Sequence, residues 1–463
     1  MEGKATKLKM GLVIVFAVTL VTGVLIGKGW DRAVMATEVY EELKTFSEVL
    51  DHVKKHYVED VKTKDLVYGA IRGMLATLDP HSAFMPPDVY KEVQVETKGE
   101  FGGVGIQIGM KENRLTVIAP IDGTPAERAG VKPSDVILKV NNDTTKDMTL
   151  MDAVQKMRGP KGTKVTLTIQ REGVPEPLVF VLTREIIKIE SVKSKMLEGN
   201  IGYVRLTQFQ DQTARDMSGA LKKLQEQKMQ SLILDLRNNP GGLLTSAIDV
   251  SEQFVGLNRL IVYIKTRDGR KDEYPSHIKD QPADYPMIIL VNEGSASASE
   301  IVAGALQDWG RAVVVGVQTF GKGSVQTILP LGDGSGLRLT TAKYYTPKGR
   351  SIHGIGISPD IVVKGKPSTA TPIRERDLDK SLRDPNKEEP LVLPPPIIEP
   401  PQVKPESKDG KKDRDAKSKD SKDGKEAEED DPQLQKAMDL LKSWMIFKEL
   451  RPNQRDTHVE KSM

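Results

Sequence analysis

The chain reads NEGSASASE at residues 292–300, between two stretches of opposite character. Before it, residues 287–291 are all apolar and mostly branched, which is typical of a buried strand. After it, the pattern from Ser299 to Leu306 indicates a helix. The serines are therefore predicted to occupy a turn that leads from a strand into a helix, where small side chains leave a hydroxyl uncovered.

Such a turn is a favourable place for a nucleophile. The unpaired amides at the start of a helix carry a partial positive charge that suits a developing oxyanion. Three hydroxyls are candidates, those of Ser295, Ser297 and Ser299. The alternative is that Ser295 or Ser299 only caps the helix, and capping is the favoured interpretation unless a catalytic partner is found elsewhere.

Length and composition exclude several classes of protein. A chain of 463 residues has room for two or three domains. The net charge of +3 and the lack of a basic stripe interleaved with aromatic residues make nucleic acid an unexpected partner. Because there is no cysteine, a cysteine nucleophile, disulfides and thiolate metal sites are excluded, and no metal or other cofactor is predicted.

The first 36 residues carry an export pattern. Three lysines, Lys4, Lys7 and Lys9, precede an uncharged run at residues 10–27. This predicts an exported protein of the periplasm or cell envelope. Cleavage near Ala36 and retention as an inner-membrane anchor both remain open, because a run of about 18 residues is at the lower end of what spans a bilayer.

The rest of the chain is predicted to be a multidomain α/β protein. A helical region at 37–95 precedes a segment of short strands and glycine turns at 96–185, and strands alternate with helices at 186–365. A proline-rich and then charged tract at 366–431 is predicted to be an extended, disordered linker. The last amphipathic helix, at 432–463, is predicted to serve docking or self-association, so a homo-oligomer is a candidate assembly.

Residues 96–185 resemble a PDZ domain. Gly102, Gly103, Val104, Gly105 and Ile106 form a glycine loop followed by an alternating strand. Amides of such a loop can converge on a carboxylate, and the strand offers an edge to an extended peptide. A phosphate loop is the competing interpretation, but no Gly-Lys-Ser/Thr follows the glycines.

Lys322 is the candidate partner of the serine run. It lies between two glycines in FGKGSVQ, residues 320–326. A lysine acts as a general base only when it is neutral, which requires burial or nearby positive charge. Gln326 is four residues further on, and in an extended stretch both side chains point to the same face, so Gln326 could orient the amine.

Several long motifs together closely resemble the carboxyl-terminal processing peptidases, which are related to the tail-specific proteases. They are the serine run, FGKGSVQ, DLRNNPGG at 235–242, YTPKGR at 345–350, GISPD at 356–360 and the PDZ-like segment, so the resemblance covers about residues 40–365. It implies a serine endopeptidase of the cell envelope that binds the C-terminus of protein substrates through its PDZ domain.

The resemblance also implies the roles of individual residues. Ser297 becomes the nucleophile, Lys322 the base and Gln326 the residue that orients the lysine. The oxyanion donors become the backbone amides of Ala298 and of Gly241 or Gly242. Arg158, between elements of the PDZ-like segment, has two open interpretations: a solvated loop residue, or a contact that couples substrate binding to the catalytic body.

Two other functions compete with this one. A histidine-based serine hydrolase lacks an acidic motif beside His353 or His277. His81 is expected to be a hydrogen-bonding loop residue. A PDZ adaptor with a degenerate catalytic body is the non-enzyme alternative, and the presence of both Ser297 and Lys322 argues against it.

Overall fold

The computed structural model describes residues 40–278, 284–365, 373–382 and 431–450. The chain divides into two units, Met1–Leu78 and Asp79–Met463. The described part of the first unit holds helix α1, at 40–56, and helix α2, Thr63–Ala76. None of the helices in these described ranges is long and apolar enough to cross a membrane. The predicted export segment, at 1–36, lies outside them.

The second unit contains a small antiparallel domain. Its sheet has the strand order β3-β4-β5-β7-β8, with β6 paired to β5. In β7 every second side chain is buried, at Val165, Leu167 and Ile169, as the alternating sequence dictates. β3 stands at one edge of this sheet, and α5 packs against it. The elements of this region are β1 (Ala83–Met85), α3 (Pro87–Lys98), β2 (Glu100–Gly103), β3 (Ile106–Lys111), β4 (Arg114–Pro120), α4 (Pro125–Arg128), β5 (Val136–Val140), β6 (Asp143–Thr144), α5 (Leu150–Met157), β7 (Lys164–Gln170), β8 (Leu178–Thr183) and β9 (Glu185–Lys188).

The larger domain is built on a mostly parallel sheet. Its strand order is β10-β11-β12-β15-β16-β19, and only β10 runs antiparallel to its neighbour. Strands β12 and β15 are buried throughout, which explains the apolar run at 232–234 in β12 and at 287–291 in β15. The elements are β10 (Val192–Leu197), β11 (Ile201–Leu206), α6 (Thr213–Glu226), β12 (Ser231–Asp235), α7 (Leu244–Glu252), β15 (Met287–Val291), α8 (Ala298–Asp308), β16 (Val313–Gly316) and β19 (Ile361–Val362).

Helices cover both faces of this sheet. Side chains of α6, α7 and α8 share one apolar core with one face of the strands. The final helix, α10 (Pro432–Leu450), lies on the other face, where Leu434, Ala437 and Leu441 are buried. The predicted fold class, an α/β core with an inserted PDZ-like domain, a helical N-terminal segment and a C-terminal extension, is confirmed.

A second, antiparallel sheet was not anticipated from the sequence. It has the order β1-β18-β13-β14, with β17 also paired to β18. The loop that carries Lys322 precedes β17, so this sheet positions the candidate base. Its elements are β13 (Leu260–Thr266), β14 (Lys271–Pro275), β17 (Ser324–Pro330) and β18 (Gly336–Tyr345), and a further helix, α9 (Glu375–Leu382), follows in the chain.

Candidate active site

Three loops meet because they follow three neighbouring parallel strands. Residues 236–243 follow β12, residues 292–297 follow β15, and residues 317–323 follow β16. The carboxyl ends of β12, β15 and β16 lie at the same edge of the sheet. Sites in open α/β folds form at this edge, so the serine run and Lys322 reach the same region although they are far apart in sequence.

Ser297 occupies a strained position at the start of α8. Its φ is 53° and its ψ is −112°, a conformation that non-glycine residues rarely adopt. Its backbone is held by the loops on either side, and 8% of the residue is exposed. Strain of this kind is found where the surrounding structure fixes a functional side chain, and here it singles out Ser297 from its neighbours.

Ser295 and Ser299 are fully buried and bonded to backbone. The Ser295 hydroxyl donates to the carbonyl of Leu236 at 2.8 Å, and the Ser299 hydroxyl donates to the carbonyl of Asn239 at 2.9 Å. Both hydroxyls therefore tie the serine turn to the loop after β12.

A carboxylate that the sequence argument missed lies at the centre of the site. Glu300 is fully buried, and its Oε2 accepts the backbone N–H of Ser297 at 2.8 Å and that of Lys322 at 2.9 Å. Its Oε1 accepts the N–H of Gly321 at 2.7 Å and the hydroxyl of Thr319. The sequence signal for this contact is the Ser-x-x-Glu spacing of a capping box, from Ser297 to Glu300.

Two opposing effects act on the pKa of the Glu300 carboxylate. Burial raises the pKa of Glu300 to about 7, against the opposing effect of the Thr319 hydroxyl and the backbone N–H groups that it accepts. Only the ionised form can accept all four bonds, since a protonated carboxyl donates from one oxygen. The geometry of the Ser297 and Lys322 loops therefore depends on the ionisation of Glu300.

Lys322 lies in a setting that disfavours its charge. Burial lowers the pKa of its amine, and the positive charge of Arg338 lowers it further. The negative charges of Glu375, Glu300 and Asp79 act in the opposite direction, and the net shift is downward. A depressed pKa is what a lysine needs to act as a base near neutral pH.

Glycine beside Lys322 allows a close backbone approach. A Cβ at Gly323 would lie 2.2 Å from the backbone nitrogen of His353, and the N–H of Gly354 donates to the carbonyl of Gly321 at 2.9 Å. From the sequence alone, glycines on both sides of Lys322 would leave its side chain uncovered. In the structure Gly323 instead lets the loop at 352–356 pack against the lysine turn, which contributes to its burial.

Tyr344 joins Ser297 to the same turn. Its backbone N–H donates to the carbonyl of Gly323 at 2.7 Å, and its phenol lies within hydrogen-bonding reach of the Ser297 side chain. Burial raises the pKa of Tyr344 to about 12, while the Ser297 contact opposes that rise. Tyr344 is therefore a neutral phenol beside the candidate nucleophile, and no sequence pattern identified it.

Gln326 does not share an extended stretch with Lys322. β17 begins at Ser324, so Lys322 precedes the strand, and a register shift separates Val325 from Gln326. The prediction that strand alternation places both side chains on one face is therefore wrong in its reasoning. Gln326 donates from Nε2 to Thr340 at 2.9 Å and to Ser324 at 3.2 Å, and its buried Oε1 has no hydrogen-bond partner among the described residues.

The candidate oxyanion amides differ in availability. The N–H of Gly241 donates to the side chain of Asn239 at 2.9 Å. No acceptor for the N–H of Gly242 or of Ala298 is found within the ranges that the structure describes. A Cβ at Gly241 would lie 2.8 Å from the Cβ of Ser297, so this loop adjoins the serine directly. Of the two glycine donors left open by the sequence, Gly242 is the available one.

The predicted carboxylate loop is a short turn between two strands. Gly102 and Gly103 end β2, Ile106 begins β3, and Val104 and Gly105 form the turn between these strands. The carbonyls of Val104 and Gly105 accept from Ala126 and Ile121, whereas their own N–H groups have no acceptor in the described segments. These N–H groups lie at the head of the edge strand β3.

Arg158 ends α5 and contacts two residues outside that helix. Its NH1 lies 2.6 Å from both carboxylate oxygens of Glu92 on α3, and its guanidinium lies 4.4 Å from the centre of the Phe101 ring. About a quarter of each charged side chain is exposed, 26% in both cases. Arg158 is therefore not a freely solvated loop residue.

The histidine alternative is placed differently from its sequence expectation. His277 is exposed and its backbone N–H binds Glu252. His353 does have an acidic neighbour, since its Nδ1 lies 3.9 Å from Glu375. No contact of its ring with Ser297 is found in the described part of the chain. Within those same residues, no group of three or more potential metal ligands is present.

Three family models match this sequence. Peptidase family S41 matches residues 200–363, the PDZ domain matches residues 92–170, and the N-terminal domain of the activating protease CtpB matches residues 28–89. Curated relatives agree. The chain is 47% identical to a carboxy-terminal-processing protease of Bartonella bacilliformis over 70% of this chain and 76% of that protein. It is 42% identical to a carboxyl-terminal-processing protease of Synechocystis, over 67% of this chain and 74% of that protein.

Among solved structures, the photosystem II D1 C-terminal processing protease matches with a TM-score of 0.41. It is 32% identical to this chain, and the match covers 69% of this chain and 92% of that one.

Proposed function

Because this chain belongs to peptidase family S41, as a PDZ-containing serine protease, we propose that it cleaves peptide bonds with a dyad of Ser297 and Lys322. One observation carries this proposal. Ser297 and Lys322 donate their backbone N–H groups to the same oxygen of Glu300, at 2.8 and 2.9 Å. The two backbone nitrogens are therefore no further apart than the sum of these distances, although 24 residues separate them in the chain.

The proposed reaction begins with proton transfer. Neutral Lys322 takes the hydroxyl proton of Ser297 as Oγ attacks the substrate carbonyl carbon, and the carbonyl oxygen becomes an oxyanion. The N–H groups of Ala298 and Gly242 stabilise that charge. As the C–N bond breaks, the lysine returns the proton to the leaving amine, and water then hydrolyses the acyl-enzyme by the same route. Gln326, through its unpartnered Oε1, accepts a hydrogen bond from the lysine amine and orients it.

The PDZ-like domain is proposed to hold the C-terminus of a protein substrate. The free N–H groups of Val104 and Gly105 support this, since they suit a terminal carboxylate. The edge of β3, beside α5, would accept the extended residues that precede it. The substrates proposed are therefore proteins or peptides with an accessible C-terminus.

Arg158 is proposed to report occupancy of that groove to the catalytic body. It links the end of α5 to Glu92 on α3. At the other end of α3, the carbonyl of Thr97 accepts the N–H of Asp211 at 3.1 Å. Phe209, in the same loop, exchanges backbone bonds with Gly241 and Leu243. These contacts connect α5 to the loop that carries Gly241 and Gly242, so a shift of α5 on substrate binding would be transmitted to that loop.

Export to the periplasm or cell envelope, with or without an inner-membrane anchor, remains the proposed location, and it rests on the lysine-flanked apolar run at 10–27. Self-association is proposed from the end of α10, where apolar side chains are exposed. Those residues are Trp444, Ile446, Phe447 and Leu450.

The test of the dyad compares matched substitutions in the full chain. Ser297→Ala and Lys322→Ala are each expected to lower the digestion rate of an unfolded protein by at least about a thousandfold, as loss of a nucleophile or its base does. Ser218→Ala and Lys222→Ala remove the same groups from exposed positions on α6 and should digest at the parent rate.

Three outcomes separate the alternatives. If both dyad variants digest as fast as the parent, the Ser/Lys mechanism is wrong. If His353→Ala abolishes digestion while Lys322→Ala does not, the histidine-based hydrolase replaces it. A parent that binds C-terminal peptides without cleaving any protein would support the adaptor function.

A further inference from the structure

The helix α9 lies next to the turn that carries Lys322. It belongs to the segment after the catalytic body, and it returns to the site at its first residue. The backbone N–H of Glu375 donates to the carbonyl of Phe320 at 3.2 Å. The neighbouring Arg374 donates to the side chain of Gln318 at 2.8 Å. Two adjacent residues thus hold the start of α9 against the loop at 317–323.

The carboxylate of Glu375 is buried and lies within hydrogen-bonding distance of a histidine. Only 3% of the residue is exposed. Its two oxygens lie 2.7 and 2.8 Å from Nε2 of His81. His81 is itself fixed, because its N–H donates to Asp79 at 2.8 Å and its carbonyl accepts from Arg338 at 2.9 Å. A buried carboxylate held this way has a defined position.

That position flanks the lysine turn on two sides. Glu375 bonds Phe320, which precedes Lys322 by two residues. Its Oε1 also lies 3.9 Å from Nδ1 of His353, whose backbone packs on Gly323. The Nδ1 atom is buried and has no hydrogen-bond partner in the described residues. Glu375 therefore contacts the lysine turn through its backbone, and its carboxylate lies near the histidine loop that packs on that turn.

Four charged side chains act on the Lys322 amine. Glu300 on α8, Asp79 in the loop before β1 and Glu375 on α9 favour the ammonium form, while Arg338 on β18 opposes it. Glu300 already accepts four hydrogen bonds, and Asp79 is bonded to His81 and Ser82. Glu375 and Asp79 both lie outside residues 200–363, which the peptidase family model matches, and Glu375 is the one that follows them in the chain.

We propose that Glu375, held by His81, is a positioning residue that controls the charge of Lys322, and through it the pH range in which the protease is active. The carboxylate does not contact the substrate or exchange a proton in the reaction. It stabilises the protonated lysine, so more hydroxide is needed to generate the base. This proposal rests on the assignment of Lys322 as the base.

The experiment measures kcat/KM against pH for the full chain acting on an unfolded, fluorescently labelled protein. Glu375→Gln is expected to move the acidic limb of the profile down by about one pH unit, as removal of a nearby opposite charge does. On that limb, kcat/KM should rise about tenfold. Glu375→Asp keeps the charge and should keep the limb in place. Glu226→Gln, which removes a charge from the exposed end of α6, is the matched control.

A second readout does not need catalysis. The rate at which an amine-directed reagent modifies Lys322, followed by mass spectrometry across pH in a Ser297→Ala background, reports the charge of the lysine itself. Glu375→Gln should move this titration in the same direction as the activity limb. The labelling also distinguishes Lys322 from Glu300. The titration of Glu300 affects activity, but its carboxylate does not react with an amine-directed reagent.

A variant that leaves His81 beside an uncharged partner could lose stability, so a double variant completes the set. His81→Gln with Glu375→Gln removes the pair together and leaves no lone buried charge. It is expected to shift the limb in the same downward direction, and by less than Glu375→Gln alone to the extent that His81 carries a positive charge that is lost with it. The proposal would be overturned if Glu375→Gln and the double variant both showed the same acidic limb and the same labelling curve as the parent.

The outcomes distinguish this proposal from the dyad itself. If Lys322→Ala stays active and keeps the acidic limb, the dyad fails and the role of Glu375 fails with it. If Lys322→Ala is inactive but the limb does not respond to Glu375→Gln, only the role of Glu375 is wrong. A uniform loss of kcat/KM at every pH, with no displacement of the limb, would assign Glu375 a purely structural role.

Discussion

A single carboxylate organises the catalytic loops. Glu300 reaches the backbone of Ser297 and of Lys322 with one oxygen and the backbone of Gly321 with the other. An unpaired buried N–H costs about 1–3 kcal/mol, so loss of the side chain of Glu300 would leave these loops with unsatisfied donors. Glu300 follows Ser297 by three residues, so the first turn of α8 places its carboxylate beside the Ser297 backbone.

Glu300→Gln is expected to lower kcat/KM by roughly 10- to 100-fold, which corresponds to about 1–3 kcal/mol. An amide has one acceptor oxygen, so either the Ser297 and Lys322 pair or the Gly321 and Thr319 pair must face an NH₂ group. The comparison is between kcat/KM of this variant and that of Glu226→Gln. An unchanged value would show that the loops hold their positions without the carboxylate.

The same residue gives a pH dependence with a defined sign. The pKa of Glu300 is raised to about 7 from 4.5, so the folded chain holds a proton that the unfolded chain releases between these values. Through this group, the free energy of unfolding is highest below about pH 4.5 and falls as the pH rises to about 7. Thermal unfolding across this range should show the fall in the parent, and Glu300→Gln should lack that component.

The sequence proposed Ser297 and Lys322 but not what surrounds them. Strand and helix patterns placed the serine run in a turn, and family resemblance selected Ser297. The contacts of Tyr344 and Glu375 are made across separate loops, so local periodicity contains no information about them. Of the contacts of Glu300, only the bond to Ser297 has a local signal, the capping-box spacing. Gln326 illustrates the limit, since a register shift in β17 invalidates an argument based on regular strand alternation.

Between elements, the contact of α5 with α3 is the main candidate for coupling. Arg158 packs over Phe101 at 4.4 Å and pairs with Glu92 at 2.6 Å. Partly exposed ion pairs contribute little to stability, about 0–1 kcal/mol. The Arg158–Glu92 pair is therefore expected to set the position of α5 relative to α3 more than to stabilise the fold.

Arg158→Ala is expected to lower turnover of a protein substrate by about tenfold or more while the midpoint of thermal unfolding changes little, because the pair transmits position but adds little stability. Arg215→Ala, at an exposed site on α6, is the control for loss of one arginine. Turnover of Arg158→Ala equal to that of the control would assign Arg158 to local packing alone.

Elements were predictable where one apolar pattern was strong. The strand predicted at 287–291 was placed correctly. The antiparallel sheet was missed because β17 and β18 are largely half-exposed, which weakens their alternation. Helix α5 was missed as well, although Thr149 and Asp152 form a capping box at its start.

At the scale of the whole molecule, the chain closes its main sheet with its last described helix. Leu434, Ala437 and Leu441 of α10 are buried against one face of the parallel strands. Each buried leucine contributes about 1.5–3 kcal/mol, a large share of the 5–15 kcal/mol that stabilises a typical domain. The sequence predicted an amphipathic helix here but could not choose between docking and self-association, because the same apolar stripe serves both.

Truncation after residue 430 is expected to lower the midpoint of thermal unfolding by several degrees and to reduce activity, because it exposes the apolar face that α10 covers. An internal deletion of residues 396–428 removes 33 residues, as the truncation does, and keeps α10, so it is the control. Adding a peptide of residues 431–450 to the truncated protein should restore activity. Full activity without that peptide would contradict the expectation.

Arg237 connects α10 to the catalytic loops. It binds Asp235 at the end of β12 and reaches Asp431 at 2.8 Å, just before the helix begins. During synthesis, the residues that complete this contact emerge after Ser297 and Lys322. We therefore expect the nascent chain to pass through a stage in which both residues are present but one face of the main sheet is uncovered. This protease would reach its full stability only when its final helix has been synthesised.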